Sequence, residues 1–267
     1  MHHTRWLAGA FFAVTALAQA PPANTPKYDN LNAVLWVQRS VEYAAVATEV
    51  YRTAERTLPR AIDDKHWTAA LEQTQRFEDF PPAVILDLDE TVLDNSALEA
   101  RLTATGEPYS DRAWDEWVAQ MRAGALPAAV RFLNKAALSG VTPIYITNRV
   151  CHPNDPADPT VGGLRRLRIP VSPEHVYCRS KNGESLDKSG RRAIVAHSYR
   201  ILMLFGDDIT DFTWIDPKTP SEERIKLLTN YDGLLGERWF VLPNPMYGSW
   251  EQAIGMDVES RVKALRR

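Results

Sequence analysis

Five short apolar runs, near residues 83–88, 142–147, 175–179, 201–206 and 238–242, alternate with longer segments in which apolar positions return every three or four residues. Runs of that length, rich in Ile, Leu, Val and Phe, predict strands, and the segments between them predict helices. Helices between strands require parallel crossovers, so the pattern predicts a doubly wound α/β sheet, mainly parallel and five-stranded. Ahead of the first strand, Leu31, Val34, Leu35, Val41, Ala45 and Tyr51 fall at helical intervals and predict an amphipathic helix that packs on the rest of the chain. No internal repeat or low-complexity tract interrupts the pattern. One domain over residues 21–267 is therefore expected, with helical additions at about 28–80, at 96–125 and in the C-terminal segment.

In an open α/β sheet, ligands bind beyond the carboxyl ends of the strands, and the chemistry-bearing residues of this chain gather there. The first run ends in Asp87-Leu88-Asp89-Glu90-Thr91. Side chains alternate along a strand, so Asp87 and Asp89 leave the same face. Two crowded carboxylates repel and call for a cation, a shared proton or an electrophile; such a pair suits phosphoryl transfer, and also occurs in sugar-transferase metal sites or on plain surfaces. The second run ends in Thr147-Asn148-Arg149, a hydroxyl, an amide and a guanidinium, each able to bind a phosphate oxygen. The fourth ends in Gly206-Asp207-Asp208-Ile209-Thr210-Asp211. Hard oxygen donors on a short loop suit Mg²⁺ better than Zn²⁺, although Asp208 or Asp211 also fits a helix cap.

Four segments in order carry a resemblance. They are Ile85 to Asn95, Ile146-Thr147-Asn148-Arg149, Asp187-Lys188-Ser189-Gly190-Arg191-Arg192, and Gly206 to Phe212. Together they resemble the motifs of the haloacid dehalogenase (HAD) superfamily, and within it the bacterial class C acid phosphatases, over most of the chain. Leu98 departs from the Tyr usual in that group, and Asp208 from a common Asn.

The resemblance implies a Rossmann-like core with its added helices forming a small cap, and a Mg²⁺-dependent hydrolase of phosphomonoesters, nucleoside monophosphates in particular. Asp87 would be the nucleophile that becomes phospho-aspartate, and Asp89 the acid and base. Mg²⁺ would be held by Asp87, the backbone carbonyl of Asp89, and Asp207. Thr147 and Lys188 would bind the phosphoryl oxygens, with Asn148 and Arg149 as further substrate contacts. Asp208 or Asp211 would orient the metal waters or Lys188. Without the resemblance, Lys188 reads as one more solvated lysine in a polar stretch. For the leaving group, it points to a base clamp of Tyr109 and Tyr247, with Trp114 or Trp117 next; Trp at helical spacing equally fits burial against a neighbouring helix.

Composition is that of a globular enzyme: 45% hydrophobic residues and a net charge of −3 over 267 residues offer no basic surplus for a nucleic-acid polymer. The expected partner is a small phosphomonoester, and a homodimer is left open. His2, His3 and Arg5 precede the apolar stretch Trp6 to Leu17 and the small-residue site Ala18-Gln19-Ala20, which reads as a cleavable export signal over residues 1–20. Many class C acid phosphatases are lipoproteins with a cysteine at the cleavage point, but the cysteines here are Cys151 and Cys178. A periplasmic or secreted protein without a membrane anchor is expected. The two cysteines fit either one disulfide or two free thiols. A phosphotransferase of the same fold remains an alternative, as does a catalytically silent binding or storage relative. A phospho-accepting receiver domain is disfavoured by the length and the DxDxT order.

Overall fold

A computed structural model of the chain describes residues 29–179 and 185–265; the expected export signal lies outside them. All five predicted strands are present, as β1 (Pro82–Leu86), β4 (Thr142–Val150), β5 (Val176–Arg179), β6 (Arg200–Gly206) and β7 (Trp239–Val241). They form one parallel sheet in the order β5-β4-β1-β6-β7. Two short segments, β2 (Leu93–Asp94) and β3 (Gly124–Ala125), pair antiparallel beside it. The chain leaves β1 outward to β4 and β5, then returns to β6 on the other side of β1 and proceeds to β7. That reversal is the switch point at which an α/β sheet opens a crevice at its carboxyl edge.

Both faces of the sheet are covered, as a parallel sheet requires; all seven residues of β6 are buried. Alternate β1 residues divide between two cores. Val84 and Leu86 pack with Tyr51, Leu58, Phe132 and Phe205 beneath α2 (Val41–Asp63) and α5 (Ala129–Leu138), while Ala83 and Ile85 pack with Ile144, Ile201, Leu204 and Trp239 on the opposite face. Tyr51 stacks on Phe205 with ring centroids 5.5 Å apart, and its O–H donates to the Thr91 carbonyl at 2.8 Å. One core side chain thus pins the turn that follows the paired acids.

The amino-terminal region corrects the expected single helix. α1 (Leu31–Arg39) stops at Ser40, whose backbone is extended, and α2 restarts with the Ser40 Oγ accepting from the Tyr43 N–H at 3.1 Å. An N-cap serine followed by an acidic first turn is a start signal inside what reads as one periodic run. The break resets the helical phase: Val34, Val37, Tyr43, Ala47, Tyr51, Ala54, Leu58 and Ala61 are buried, whereas Leu31, Leu35, Val41 and Ala45 face solvent. Beyond Asp63 the chain runs to β1 without helix, so this addition ends short of residue 80. The second addition comprises α3 (Ser96–Thr105) and α4 (Asp111–Ala119). Among the described residues no helix is long and apolar enough to cross a membrane.

Candidate active site

The β1 ladder continues one residue past the strand, the Asp87 N–H donating to the Phe205 carbonyl at 3.0 Å. The chain then turns sharply: Glu90 has φ 56°, Glu90 N–H donates to Leu93 O at 2.8 Å, and Val92 N–H to Leu88 O at 2.9 Å. A left-handed backbone is costly for a residue with a Cβ. It is held by Asn95, whose backbone N–H donates to Glu90 Oε1 at 2.8 Å and whose side-chain amide donates to Oε2 at 3.1 Å. The turn delivers Asp87 and Asp89 to the carboxyl edge of the sheet.

Lys188, at the start of α7 (Ser189–Ala196), enters from the β5 side; its ammonium contacts Asp87 Oδ1 and lies 2.6 Å from Asp211 Oδ1. All three side chains are nearly sealed from solvent. From β6 comes Asp207, whose carboxylate accepts from Thr91 Oγ1 at 3.3 Å and from the Asn244 amide at 2.9 Å. Gly206 is required by close approach, since an added Cβ would collide with the Asp211 side chain.

The charges here are in mutual tension. Burial pushes the Asp87 carboxyl up to about 7 despite Lys188 beside it, with Asp211 and Asp89 adding to the rise. Asp207 is raised well above the carboxylate range by burial and by Asp211 and Asp87, and Glu90 by burial and by Asp89 and Asp207. Burial also raises Asp211, with Lys188 opposing it. Burial would lower Lys188, but Asp211 and Asp87 outweigh it and keep the ammonium charged above the lysine range. Several acids driven toward protonation around one lysine form a donor set short of positive charge. Carboxylate oxygens of Asp87, Asp207 and Asp211 lie within 4.8 Å of one another and could hold a divalent cation. Hard oxygen donors fit such an ion. Asp211 is the most committed of the three, one oxygen facing Lys188 and the other accepting the Asp208 N–H at 3.1 Å.

The remaining predicted residues divide. Asp211 pairs with Lys188, but the Asp208 side chain turns away from the cluster. It accepts from Thr210 N–H at 2.9 Å and from Ser249 N–H and O–H at 2.7 Å each, capping the turn after β6 and tying it to the segment that carries Tyr247. Those bonds hold its carboxyl below the ordinary range although burial opposes them. Thr147 is wholly buried, its Oγ1 accepting the Arg149 N–H at 3.1 Å. Asn148 donates to Leu186 O at 3.2 Å and accepts from Arg191 at 2.7 Å, so it braces the approach to Lys188. Arg149, expected at the substrate, grips Asp89 with Nε 3.0 and 3.1 Å from its two oxygens and a terminal nitrogen 2.6 Å from Oδ1.

A cleft of about 650 Å³ opens above these groups, lined by Tyr109, Trp114 and Tyr247 together with Trp214 and Glu99. Trp117 is the correction: it is buried against Leu98 and Leu102, and its Nε1 donates to Asn95 Oδ1 at 2.8 Å. Sequence reasoning gave Asn95, Asn244 and Arg179 no role, yet they bond to Asp89, Asp207 and the Asn148 carbonyl. Asn95 closes the first motif segment, but nothing in an isolated Asn reveals its partner. Cys151 and Cys178 are joined in a disulfide, Cα atoms 5.6 Å apart, that ties the end of β4 to β5.

Comparison with known proteins places this arrangement. Residues 13–250 match the family model described as HAD superfamily, subfamily IIIB (acid phosphatase). The class C acid phosphatase of Bacillus anthracis with tungstate bound superposes with a TM-score of 0.77 at 32% identity, covering 91% of this chain and 98% of that one. A second structure of that enzyme gives a TM-score of 0.75 at 33% identity, covering 90% and 98%. The stem 31 kDa glycoprotein of Glycine max is 26% identical over 169 residues, 61% of this chain, and the match spans 58% of that relative's length. The fold, the four motifs and the matched span agree, and the chain belongs to the acid phosphatases of HAD subfamily IIIB.

Proposed function

We propose that the protein hydrolyses phosphomonoesters, nucleoside monophosphates in particular, through a phospho-aspartate on Asp87 and with Mg²⁺. The observation that carries this reading is the buried Asp87 carboxylate in contact with Lys188 and beside Asp207 and Asp211, at the floor of a cleft wide enough for a leaving group. Asp87 attacks phosphorus, forming an O–P bond as the bond to the leaving oxygen breaks, and Asp89 supplies the proton that oxygen takes. Water then attacks the phospho-aspartate, Asp89 accepts its proton, and phosphate leaves with Asp87 restored. Lys188 neutralises charge on the transferring group without moving, because Asp211 fixes its ammonium. Asp87 and Asp207 would hold Mg²⁺, which supplies the positive charge that lets a carboxylate approach a phosphate dianion.

Support comes from the Bacillus anthracis relative, whose bound tungstate is an oxyanion of phosphate-like shape. For the nucleotide preference, support comes from the aromatic walls Tyr109, Trp114 and Tyr247, since any base offers a face for stacking. The export reading is supported by the disulfide, a bond that persists in oxidising compartments, and places the protein in the periplasm or outside the cell.

Asp87→Asn keeps the shape and removes the nucleophile. It should leave a folded protein whose turnover falls by about 10³-fold or more. Rapid quenching of the unmodified protein with labelled substrate should trap hydroxylamine-sensitive label on Asp87; its absence during turnover would refute the covalent route.

A further inference from the structure

We propose that helix α4 positions Asp89 through a relay from Trp117 to Asn95, a role that rests on reading Asp89 as the acid and base. The indole N–H of Trp117 can only donate, and it donates to Asn95 Oδ1 at 2.8 Å. That bond fixes the oxygen end of the Asn95 amide. Its nitrogen is turned to the carboxylates, 2.9 Å from Asp89 Oδ1 and 3.1 Å from Glu90 Oε2. Asn95 is 0% exposed, so water does not compete for these bonds.

From the other side Arg149 holds the same carboxylate, and its guanidinium lies 5.4 Å from the centroid of the Trp114 ring. Trp114 and Trp117 stand three apart on one face of α4. The helix therefore reaches both groups that hold Asp89. The load on the two oxygens is unequal: Oδ1 takes Asn95 and two Arg149 nitrogens, while Oδ2 accepts from Arg149 Nε alone among the described residues. Oδ2 is thus the less engaged of the two oxygens. In the proposed reaction Asp89 gives a proton to the bridging oxygen as the bond from that oxygen to phosphorus breaks and the Asp87 oxygen bonds to phosphorus. Should the Trp117 bond be lost, the Asn95 oxygen is left buried without a donor, the amide is held from one end only, and its grip on Asp89 loosens. Because Trp114 also lines the cleft, the element that meets the leaving group is the one that sets the acid meant to protonate it.

The test uses the full-length protein and two substrates that differ in their need for an acid. An alkyl phosphomonoester expels a basic alkoxide, whereas p-nitrophenyl phosphate expels a stable phenolate. Trp117→Phe keeps the packing against Leu98 and Leu102 and deletes the N–H. It should lower kcat/KM for the alkyl ester about tenfold and for p-nitrophenyl phosphate by less than about twofold, a fraction of the effect of a positioned acid. Asn95→Asp, which replaces the donor with a repelling carboxylate, should widen the same split, and it serves if Trp117→Phe does not fold. Equal losses on both substrates, or none, would overturn the relay. Asp89→Asn separates the two ideas. If it fails to discriminate between the substrates, the acid assignment itself is wrong; if it discriminates and the relay variants do not, only the relay falls.

Discussion

At the buried end of the cleft, Asp87 and Asp211 are almost sealed from solvent and both paired with Lys188. At the open end, Tyr109 is 59% exposed, and the walls come from the helical additions and the segment after β7. The first region stores electrostatic tension in fixed positions. The second offers area and adaptable contact. A buried charge network responds to single changes by several kcal/mol, whereas an exposed aromatic contributes about 1–3 kcal/mol per stacked base at most. The sharpest tests of this contrast remove one member from each end.

After loss of the nucleophile itself, Lys188→Met should have the largest effect. It strips the counter-charge from two buried carboxylates and from the phosphoryl group, and turnover should fall by about 10²- to 10³-fold. Steady-state kinetics on a folded variant checks this; a loss below about threefold would mean that Lys188 is only a structural ion-pair partner.

Metal removal should act next, and its dependence on pH has a definite sign. Asp87, Asp207 and Asp211 are all raised in the folded state, chiefly by burial, Asp87 to about 7. Between the unfolded carboxylate value and the folded one, the native protein binds more protons than the unfolded chain, so without metal its stability falls as pH rises through that window. Mg²⁺ binds the ionised cluster and should oppose that fall. The rise in Tm on adding Mg²⁺ should therefore be larger at pH 7.5 than at pH 5, and excess EDTA should lower turnover. An equal rise at both pH values would place the metal away from these acids.

The contrast also explains what the sequence made legible. Strand periodicity and the position of Asp87 and Asp207 after apolar runs survive in one dimension, because the sheet converts strand ends into a common edge; Lys188, in a polar stretch, stands out only through the resemblance. The helical additions do not survive so well. Nothing local distinguishes Trp114, which lines the cleft, from Trp117, which is buried one turn further on; the difference arises only when α4 packs on α3. Arg149 shows the same limit within the core site, since its residue type fits a phosphate as well as it fits Asp89. The Ser40 break is a cap signal masked by an apolar spacing that runs on across it.

The smallest effect should come from the aromatic walls, and there the two tyrosines differ. Tyr247 is half-buried beside Met246 and packs against the Val34, Val37 and Tyr43 cluster, so its ring is already placed before substrate arrives. Tyr109 must give up side-chain freedom when it stacks, which offsets part of what it gains. Tyr247→Ala should therefore raise KM for a nucleoside monophosphate by about 5- to 20-fold, more than Tyr109→Ala, while changing KM for a small aryl phosphate by less than about twofold. Tyr247→Phe refines the point. The buried hydroxyl of Tyr247 has no hydrogen-bond partner among the described residues, so deleting it should cost neither stability nor nucleotide affinity if the ring face is what binds. A KM increase with Tyr247→Phe as large as with Tyr247→Ala would show that the hydroxyl, not the ring, meets the substrate; equal effects of Tyr247→Ala on both substrates would remove the clamp.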